Sequence, residues 1–249
     1  IPPGWRFVSV REVMNEDRRL PFYRYITSDE AEQDVDGDGA PDPEGRYIRW
    51  ERPLLYCEVE TATGLRLHVL NAHFKSKHPT NIPGQKRSTY VWRSAAGWAE
   101  GFFVSSMKRV GAALGARLLI DELLQADPGA RVILCGDLNA ESHEVPIQAL
   151  RGRVEDHGDP DLNHMELFPC EDSVPEDKRF TLYHHGRRNM LDHLLVSRSL
   201  LGAYRGVEIH NELVRDESVK YANDAKFPQP DHAPVVAEFD DAALAGGVG

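Results

Sequence analysis

The feature that most restricts the fold of this chain is a set of four polar segments, each at the end or the start of a predicted β-strand. Asn71–Lys77 follows the strand Leu65–Leu70, Gly136–Glu141 follows Val132–Cys135, Asn189–His193 opens Leu194–Val196, and Pro230–Pro234 precedes Val235–Phe239. Layered α/β proteins place their binding and catalytic sites at strand ends. The pattern therefore predicts an α/β fold whose functional site lies at these strand ends.

The rest of the sequence predicts one α/β domain over residues 1–249. The strands Leu54–Glu60 and Leu65–Asn71 form a predicted hairpin with a turn that contains Gly64. Apolar residues at a spacing of four then predict a helix over 94–126. Four glycines in that stretch weaken the prediction of one unbroken helix. They are Gly97, Gly101, Gly111 and Gly115.

Composition excludes several function classes. The chain has 29 Lys and Arg against 40 Asp and Glu, a net charge of −11, so its overall field does not attract nucleic acid or an anionic membrane. No stretch reaches the roughly 18 apolar residues of a membrane helix. The three cysteines are too few for a disulfide scaffold and favour a reducing compartment such as the cytoplasm. Secretion stays open, because we expect the native N-terminus to lie upstream of Ile1.

Four motifs, in this order, resemble the endonuclease/exonuclease/phosphatase superfamily, which has the deoxyribonuclease-I-like fold. The matching positions are Asn71-Ala72-His73, Gly136-Asp137-Leu138-Asn139-Ala140-Glu141, Met190-Leu191-Asp192 and Asp231-His232-Ala233-Pro234-Val235. Arg52-Pro53-Leu54-Leu55 is similar to the arginine-led strand of that family. The resemblance covers about residues 46–239. It implies a four-layer α/β/β/α sandwich of two packed mixed β-sheets with outer helices.

The resemblance also implies a divalent-metal-dependent phosphoester hydrolase that uses Mg²⁺ or Mn²⁺. It makes Asp231 a metal ligand and pairs Asp192 with His232, which would fix the tautomer of the imidazole. Hard cations prefer carboxylate oxygens and keep several waters, so one or two carboxylates are sufficient. A structural ion pair of a buried carboxylate is the alternative role for Asp192.

Three more residues complete the implied catalytic set. The resemblance places Asp137 beside the attacking water and makes Asn139 a hydrogen-bond donor to a phosphate oxygen. His73 matches the second family histidine, which acts on the phosphate or the leaving group from the opposite side. We do not expect His193 in the site, because adjacent residues of a strand point to opposite faces.

Basic residues near the predicted site are further candidates. Lys75 and Lys77 follow His73 directly, and Arg52 precedes the hairpin. The clearest basic cluster of the sequence comprises Lys75, Lys77, Lys86, Arg87 and Arg93. Contact with substrate phosphate and a solvated basic face both stay open for these residues.

Residues 28–45 form an acidic loop rich in Gly and Pro, with a partial calcium-binding pattern. Positions 1, 3, 5 and 9 of a calcium loop are Asp34, Asp36, Asp38 and Asp42, with Gly39 at position 6. Position 12 is Gly45 instead of Glu, and no flanking helices are predicted. Ca²⁺ binding and a plain solvated loop both stay open.

Two family motifs, an Asn on the first strand and a metal-binding Glu, lack a convincing match. Glu12 is a tempting candidate, but only 39 residues (52 − 12 − 1) separate it from Arg52. That is too few for the helix and strands that the family places there. We therefore expect a missing upstream segment of about 60–100 residues. These 249 residues alone should then bind metal poorly, hydrolyse little and associate unless that segment remains bound.

Three functions remain as hypotheses. The first is a metal-dependent hydrolase whose phosphate-ester substrate is a nucleic acid, a phosphorylated small molecule or a lipid. The second is a catalytically inactive relative that acts as a binding module, and the third is a secreted calcium-binding module. The complete set of Asp137, Asn139, Asp192, Asp231 and His232 disfavours the second, and the cysteine usage disfavours the third.

Overall fold

The structure, a computed structural model, describes residues 1–14, 24–25, 46–47, 50–219 and 230–245. The strands are β1 Arg6–Val13, β2 Arg24–Tyr25, β3 Arg46–Tyr47, β4 Leu54–Glu60, β5 Arg66–Asn71, β6 Lys86–Ser88, β7 Val91–Trp92, β8 Arg131–Asp137, β9 Leu167–Pro169, β10 Leu182–His184, β11 Arg187–Asn189, β12 Asp192–Ser197, β13 Tyr204–Ile209 and β14 Val235–Phe239. The α-helices are α1 Ala95–Ala126, α2 Val145–Arg151, α3 Val154–His157 and α4 Asp241–Ala245. Short 3-10 helices cover Pro160–Met165, Cys170–Ser173, Glu176–Lys178 and Arg198–Ala203.

A six-stranded mixed sheet organises the described part of the chain, with the order β1-β4-β5-β8-β12-β9. Its one parallel pair is β5 with β8, and α1 lies in the crossover between these strands. The carboxyl ends of β5 and β8 and the start of the antiparallel β12 therefore share one edge of the sheet. Small two-stranded sheets accompany it. The predicted α/β class is confirmed, while the four-layer arrangement and the single domain stay predictions.

One face of the sheet and the buried side of α1 form the main core. The alternation of β8 places Val132 and Leu134 on this face, where they pack in one cluster with Leu119 and Ile120 of α1. The opposite face is covered at one end by the β13–β14 pair, which joins a second apolar cluster around Leu67 and Val196. The polar strand ends extend from the edge of this packed sheet.

The predicted helix is a single unbroken helix, so the expectation drawn from its four glycines is wrong. It begins after Ser94, whose Oγ accepts a hydrogen bond from Gly97 N at 2.9 Å. Gly97 and Gly101 have a packing role that sequence periodicity does not show. At Gly101 an added Cβ would lie 2.4 Å from Thr80 O, so a loop backbone packs directly against the helix there.

The structure bears on some predictions about the N-terminal part of the chain and on the predicted absence of a membrane helix. The acidic loop, with Asp34, Asp36, Asp38 and Asp42, lies outside the described residues, and its Ca²⁺ site stays a prediction. Glu12 is exposed on the edge strand β1, three strands from β8, which is about 14 Å at the usual strand spacing. No helix in the described ranges has both the length and the apolar character needed to cross a membrane.

Candidate active site

Parallel pairing of β5 and β8 brings His73 to Asp137. The chain beyond β5 stays paired with β8, since Ala72 N donates to Cys135 O and Phe74 N donates to Asp137 O, each at 2.9 Å. Gly136 makes this approach possible: its φ is +130°, and a Cβ there would lie 2.0 Å from Ala72 O. As a result, His73 Nε2 lies 3.4 Å from Asp137 Oδ2.

Antiparallel pairing of β8 with β12 places Asp137 directly opposite Asp192. Opposed residues of two strands have Cβ atoms about 5 Å apart, so the two carboxylates repel each other. Burial, followed by the charge of Asp192, raises the pKa of Asp137. A proton or a cation bound at these carboxylates would relieve their repulsion.

His232 is held beside Asp192 by a buried threonine. Thr181 Oγ1 accepts hydrogen bonds from Leu191 N at 3.1 Å and Asp192 N at 3.2 Å, and Thr181 O accepts one from Ala233 N at 2.8 Å. This arrangement places His232 Nδ1 2.6 Å from Asp192 Oδ2. The hydrogen bond to Asp192 is the main cause that raises the pKa of His232 to about 9. Sequence reasoning missed Thr181, because a single threonine before a strand carries no signal of this role.

Asp137, Asp192 and His232 each offer a ligand atom, and these atoms all lie within 4.8 Å of one another. Two carboxylates and an imidazole suit a divalent cation, and the carboxylate oxygens suit a hard one. Asp231 lies next to the group and is exposed. Its charge contributes to the raised pKa of His232. Its role as a metal ligand stays a prediction, and Glu12 lies outside the group.

Asn139, two residues after β8, adopts the left-handed conformation, with a φ of 49°. Its backbone N donates to Asp137 Oδ1 at 2.9 Å, and its Nδ2 donates to Asp137 Oδ2 at 3.0 Å and to Phe74 O at 3.1 Å. Both Nδ2 hydrogens are therefore used inside the protein. The predicted donation to a phosphate oxygen requires the exchange of one of these bonds.

A buried Glu–His pair contacts the same turn from the sheet face opposite the candidate site. His193 Nδ1 lies 2.6 Å from Glu171 Oε1, and His193 Nε2 lies 2.8 Å from Ala140 O. Both side chains are fully buried. His193 lies on the face opposite Asp192, as strand alternation predicts, and contacts the turn after Asp137 instead of the site. Glu171 was not identified from the sequence, since it lies 22 residues from its partner, in a short 3-10 helix.

The predicted phosphate-binding residues lie near the site, but each already has a partner. Arg52 Nη1 donates to Phe74 O at 3.3 Å, and Lys75 Nζ donates to Ser76 Oγ at 3.0 Å. Lys77 Nζ lies 2.7 Å from Glu144 Oε2. Burial lowers the pKa of Lys75. Their contact with substrate phosphate stays a prediction.

A third buried residue missed by the sequence analysis shapes this loop. Arg109 of α1 donates from Nη1 to Lys75 O and to Ser76 O, each at 3.1 Å. Ser105, one helical turn earlier, donates to Ser76 O at 2.8 Å and to His78 O at 2.9 Å. The loop after His73 is therefore fixed to α1 by its backbone carbonyls.

Comparison with known proteins gives the family. The sequence profile of the endonuclease/exonuclease/phosphatase family matches residues 87–231, more than half of the chain. The chain belongs to this family. Endonuclease/exonuclease/phosphatase enzymes hydrolyse phosphoester bonds and use divalent metals, typically Mg²⁺. The resemblance proposed from the four motifs is thereby confirmed.

Solved structures similar to this endonuclease/exonuclease/phosphatase chain include truncated Caenorhabditis elegans TDP2 (14% identity, 94% of this chain, 66% of that chain, TM-score 0.45). The human Nocturnin catalytic domain with bound sulfate is another (13%, 83% and 51%, TM-score 0.36). A third is the 3′ phosphatase NExo from Neisseria bound to a product DNA hairpin (16%, 95% and 80%, TM-score 0.45). The chain thus spans less than two thirds of the first two structures. A search of the curated proteins gives no match.

Proposed function

We propose that this chain is a divalent-metal-dependent phosphoester hydrolase whose reaction centre comprises Asp137, Asp192 and His232. The observation that carries the proposal is the convergence of their polar atoms within 4.8 Å at the adjoining ends of β8 and β12. The three residues come from distant parts of the sequence. Packing alone gives no reason to oppose two carboxylates in a largely buried position.

The contacts suggest a role for each side chain. His232 Nδ1 is bonded to Asp192, so Nε2 is the atom that meets the substrate. With a pKa of about 9, His232 is cationic at neutral pH and donates a hydrogen bond to a phosphate oxygen. Asp137, whose pKa is raised by burial and by Asp192, accepts the proton of the attacking water. His73, beside Asp137, acts on the phosphate or the leaving group.

The donor set fits Mg²⁺ or Mn²⁺. Asp231 would hold the ion, because Asp192 is engaged by His232 and Asp137 accepts the proton of the attacking water. When bound, the cation would polarise the phosphoryl oxygen and offset the charge that develops in the transition state. Asp192 meanwhile keeps the imidazole oriented. A nucleic acid, a phosphorylated small molecule and a phosphorylated lipid all stay open as the source of the phosphate ester.

A substrate panel with Mg²⁺, Mn²⁺ or EDTA, run on the longest natural form of the chain, tests the proposal. Asp137→Asn should lower turnover of a hydrolysed ester by about 100-fold or more. The matched control is Asp240→Asn, which removes an ion-paired carboxylate at the opposite end of β14 and should leave turnover unchanged. If no phosphomonoester or phosphodiester were hydrolysed, the inactive binding module would replace the hydrolase as the leading function. Full turnover by Asp137→Asn would instead contradict a reaction centre that contains Asp137.

A further inference from the structure

A segment with no acidic residues leads away from the candidate site. Residues 61–99 contain no Asp or Glu, although the chain has 40, and they contain six Lys or Arg. All of residues 61–99 are described by the structure. The part beyond the site, residues 74–94, is called the basic segment below. It carries Lys75, Lys77, Lys86, Arg87 and Arg93.

The basic segment runs along the first turns of α1, from the site outward. Ser105 Oγ contacts the carbonyls of Ser76 and His78, and Thr80 N donates to Gly101 O at 2.9 Å. One turn farther, a Cβ on Gly97 would meet the side chain of Gln85 at 2.5 Å. The path from Ser105 to Gly97 covers eight helical residues, which is about 12 Å. A stacked strand rises about 3.4 Å per nucleotide, so this length matches three to four nucleotides.

Aromatic rings are interleaved with these cations at the outer end. The aromatic cluster is defined here as the rings of Tyr90 and Trp92, at and before β7, and of Trp98 and Phe102, near the start of α1. Lys86 Nζ lies 4.6 Å from the centre of the Trp92 ring, and the Trp98 and Phe102 rings stack with centres 5.6 Å apart. Tyr90 is 90% exposed, Trp98 47% and Phe102 42%. Several large exposed rings in one stretch of chain are costly to leave in water and mark a binding surface.

We propose that the basic segment and the aromatic cluster bind a single-stranded nucleic acid and lead it to the candidate site. The inference rests on the proposed function, because the strand is the phosphate-ester substrate. Phosphates of the strand pair with Lys86, Arg87 and Arg93. Unpaired bases stack on the rings, which favours a single strand, because the base faces of a duplex are hidden.

The geometry favours a strand over a lipid surface as the partner. Trp92 packs against Gly101, and Trp98 packs against Phe102, so these rings offer flat faces and have little freedom to insert into a bilayer. Lys75 and Lys77 continue the segment toward His73, with Lys77 Nζ in an ion pair with Glu144. A polymer with regularly spaced phosphates matches such a line of charge better than a plane of headgroups does.

The test is fluorescence anisotropy with a labelled oligothymidylate of about 12 nucleotides, in EDTA to prevent hydrolysis. The triple variant Lys86→Gln, Arg87→Gln, Arg93→Gln should weaken binding by about 10-fold or more and reduce the salt slope of log affinity by about 2. Trp98→Ala with Phe102→Ala should weaken binding by about 10-fold or more. The matched control, Arg6→Gln, Arg153→Gln, Arg205→Gln, makes the same charge change at arginines elsewhere that are exposed or partly exposed, and it should change affinity by no more than about twofold.

Several results would overturn the inference. The first is a loss of affinity in the control triple variant that equals the loss in the test triple variant. The second is an affinity for duplex that equals the affinity for the single strand. The third is no binding of the oligonucleotide together with binding of phosphatidylglycerol vesicles that the test variants weaken. Hydrolysis of bis(p-nitrophenyl) phosphate separates the two proposals. Hydrolysis without oligonucleotide binding would overturn the binding surface alone. Oligonucleotide binding with the expected losses in the variants, but without hydrolysis of any ester, would support the binding surface and overturn the proposed function.

Discussion

At the scale of single residues, the hydrogen bond between Asp192 and His232 joins two segments that are 40 residues apart. We predict that Asp192→Asn and His232→Ala each lower kcat/KM by about 10²- to 10⁴-fold. The double variant should lose little more than the worse single variant, because a dyad acts as a unit. Initial rates of the four proteins on one phosphodiester measure this. A double variant that lost the product of the two single losses would show that the residues act independently.

The same contact has a consequence for titration. In the metal-free chain the pKa of His232 should be about 9 and should fall toward the ordinary 6.5 in Asp192→Asn. Because the folded pKa is raised, the dyad stabilises the fold fully below pH of about 6.5, and this contribution is lost as pH rises through about 9. An NMR titration of the imidazole measures the pKa. An unchanged pKa in Asp192→Asn would contradict the assigned cause.

Two close Glu–His pairs of the described residues differ in burial. Glu171 and His193 are fully buried, whereas Glu217 pairs with a partly exposed His184 at 2.7 Å. We predict that Glu171→Ala costs about 3–5 kcal/mol of the free energy of unfolding, because it leaves a buried imidazole without its carboxylate. Glu217→Ala should cost at most about 1 kcal/mol. Urea denaturation measures both, and equal costs would show that burial does not decide the effect.

At the scale of elements, two glycines of α1 differ in how closely other residues pack against them, so each is a control for the other. Alanine is favoured over glycine in a helix by about 1 kcal/mol. Gly111→Ala should therefore stabilise the chain, since the nearest atom to a Cβ there is Trp50 Nε1 at 3.8 Å. Gly101→Ala should destabilise it, since Thr80 O would lie at 2.4 Å. Thermal melts of both variants test this, and a stabilising Gly101→Ala would mean that the basic segment does not pack on α1.

Local pattern was enough to predict five strands of the site region and the long helix, but neither the shorter elements nor the contacts between elements. The strands Leu54–Glu60 and Val235–Phe239 have the predicted bounds, because alternating or continuous apolar runs end at turn residues. The strand ending at Asp137 was predicted two residues short, since pairing with the chain beyond β5 extends it. Gly101 was misread because a helical glycine that accommodates a loop looks the same in sequence as one that breaks a helix.

At the scale of the whole molecule, the candidate site depends on sheet order, which one sequence does not contain. The pairing of Asp192 with His232 was inferred from the family resemblance and not from spacing. Thr181, Glu171 and Arg109 escaped notice because each acts through a contact made only after folding. Their common signal is a polar side chain that is buried, and burial is a property of the tertiary structure.

The measurement that tests the central claim most directly is turnover of bis(p-nitrophenyl) phosphate by the longest natural form of the chain, with EDTA and after addition of Mg²⁺ or Mn²⁺. The two facing carboxylates, Asp137 and Asp192, leave the site net negative even with His232 charged, so a bound cation would favour the approach of a phosphate. We predict that EDTA abolishes turnover, that Mg²⁺ or Mn²⁺ restores it, and that Asp137→Asn is not restored. Full turnover in EDTA, or full turnover by Asp137→Asn, would contradict a metal-dependent hydrolase at this site.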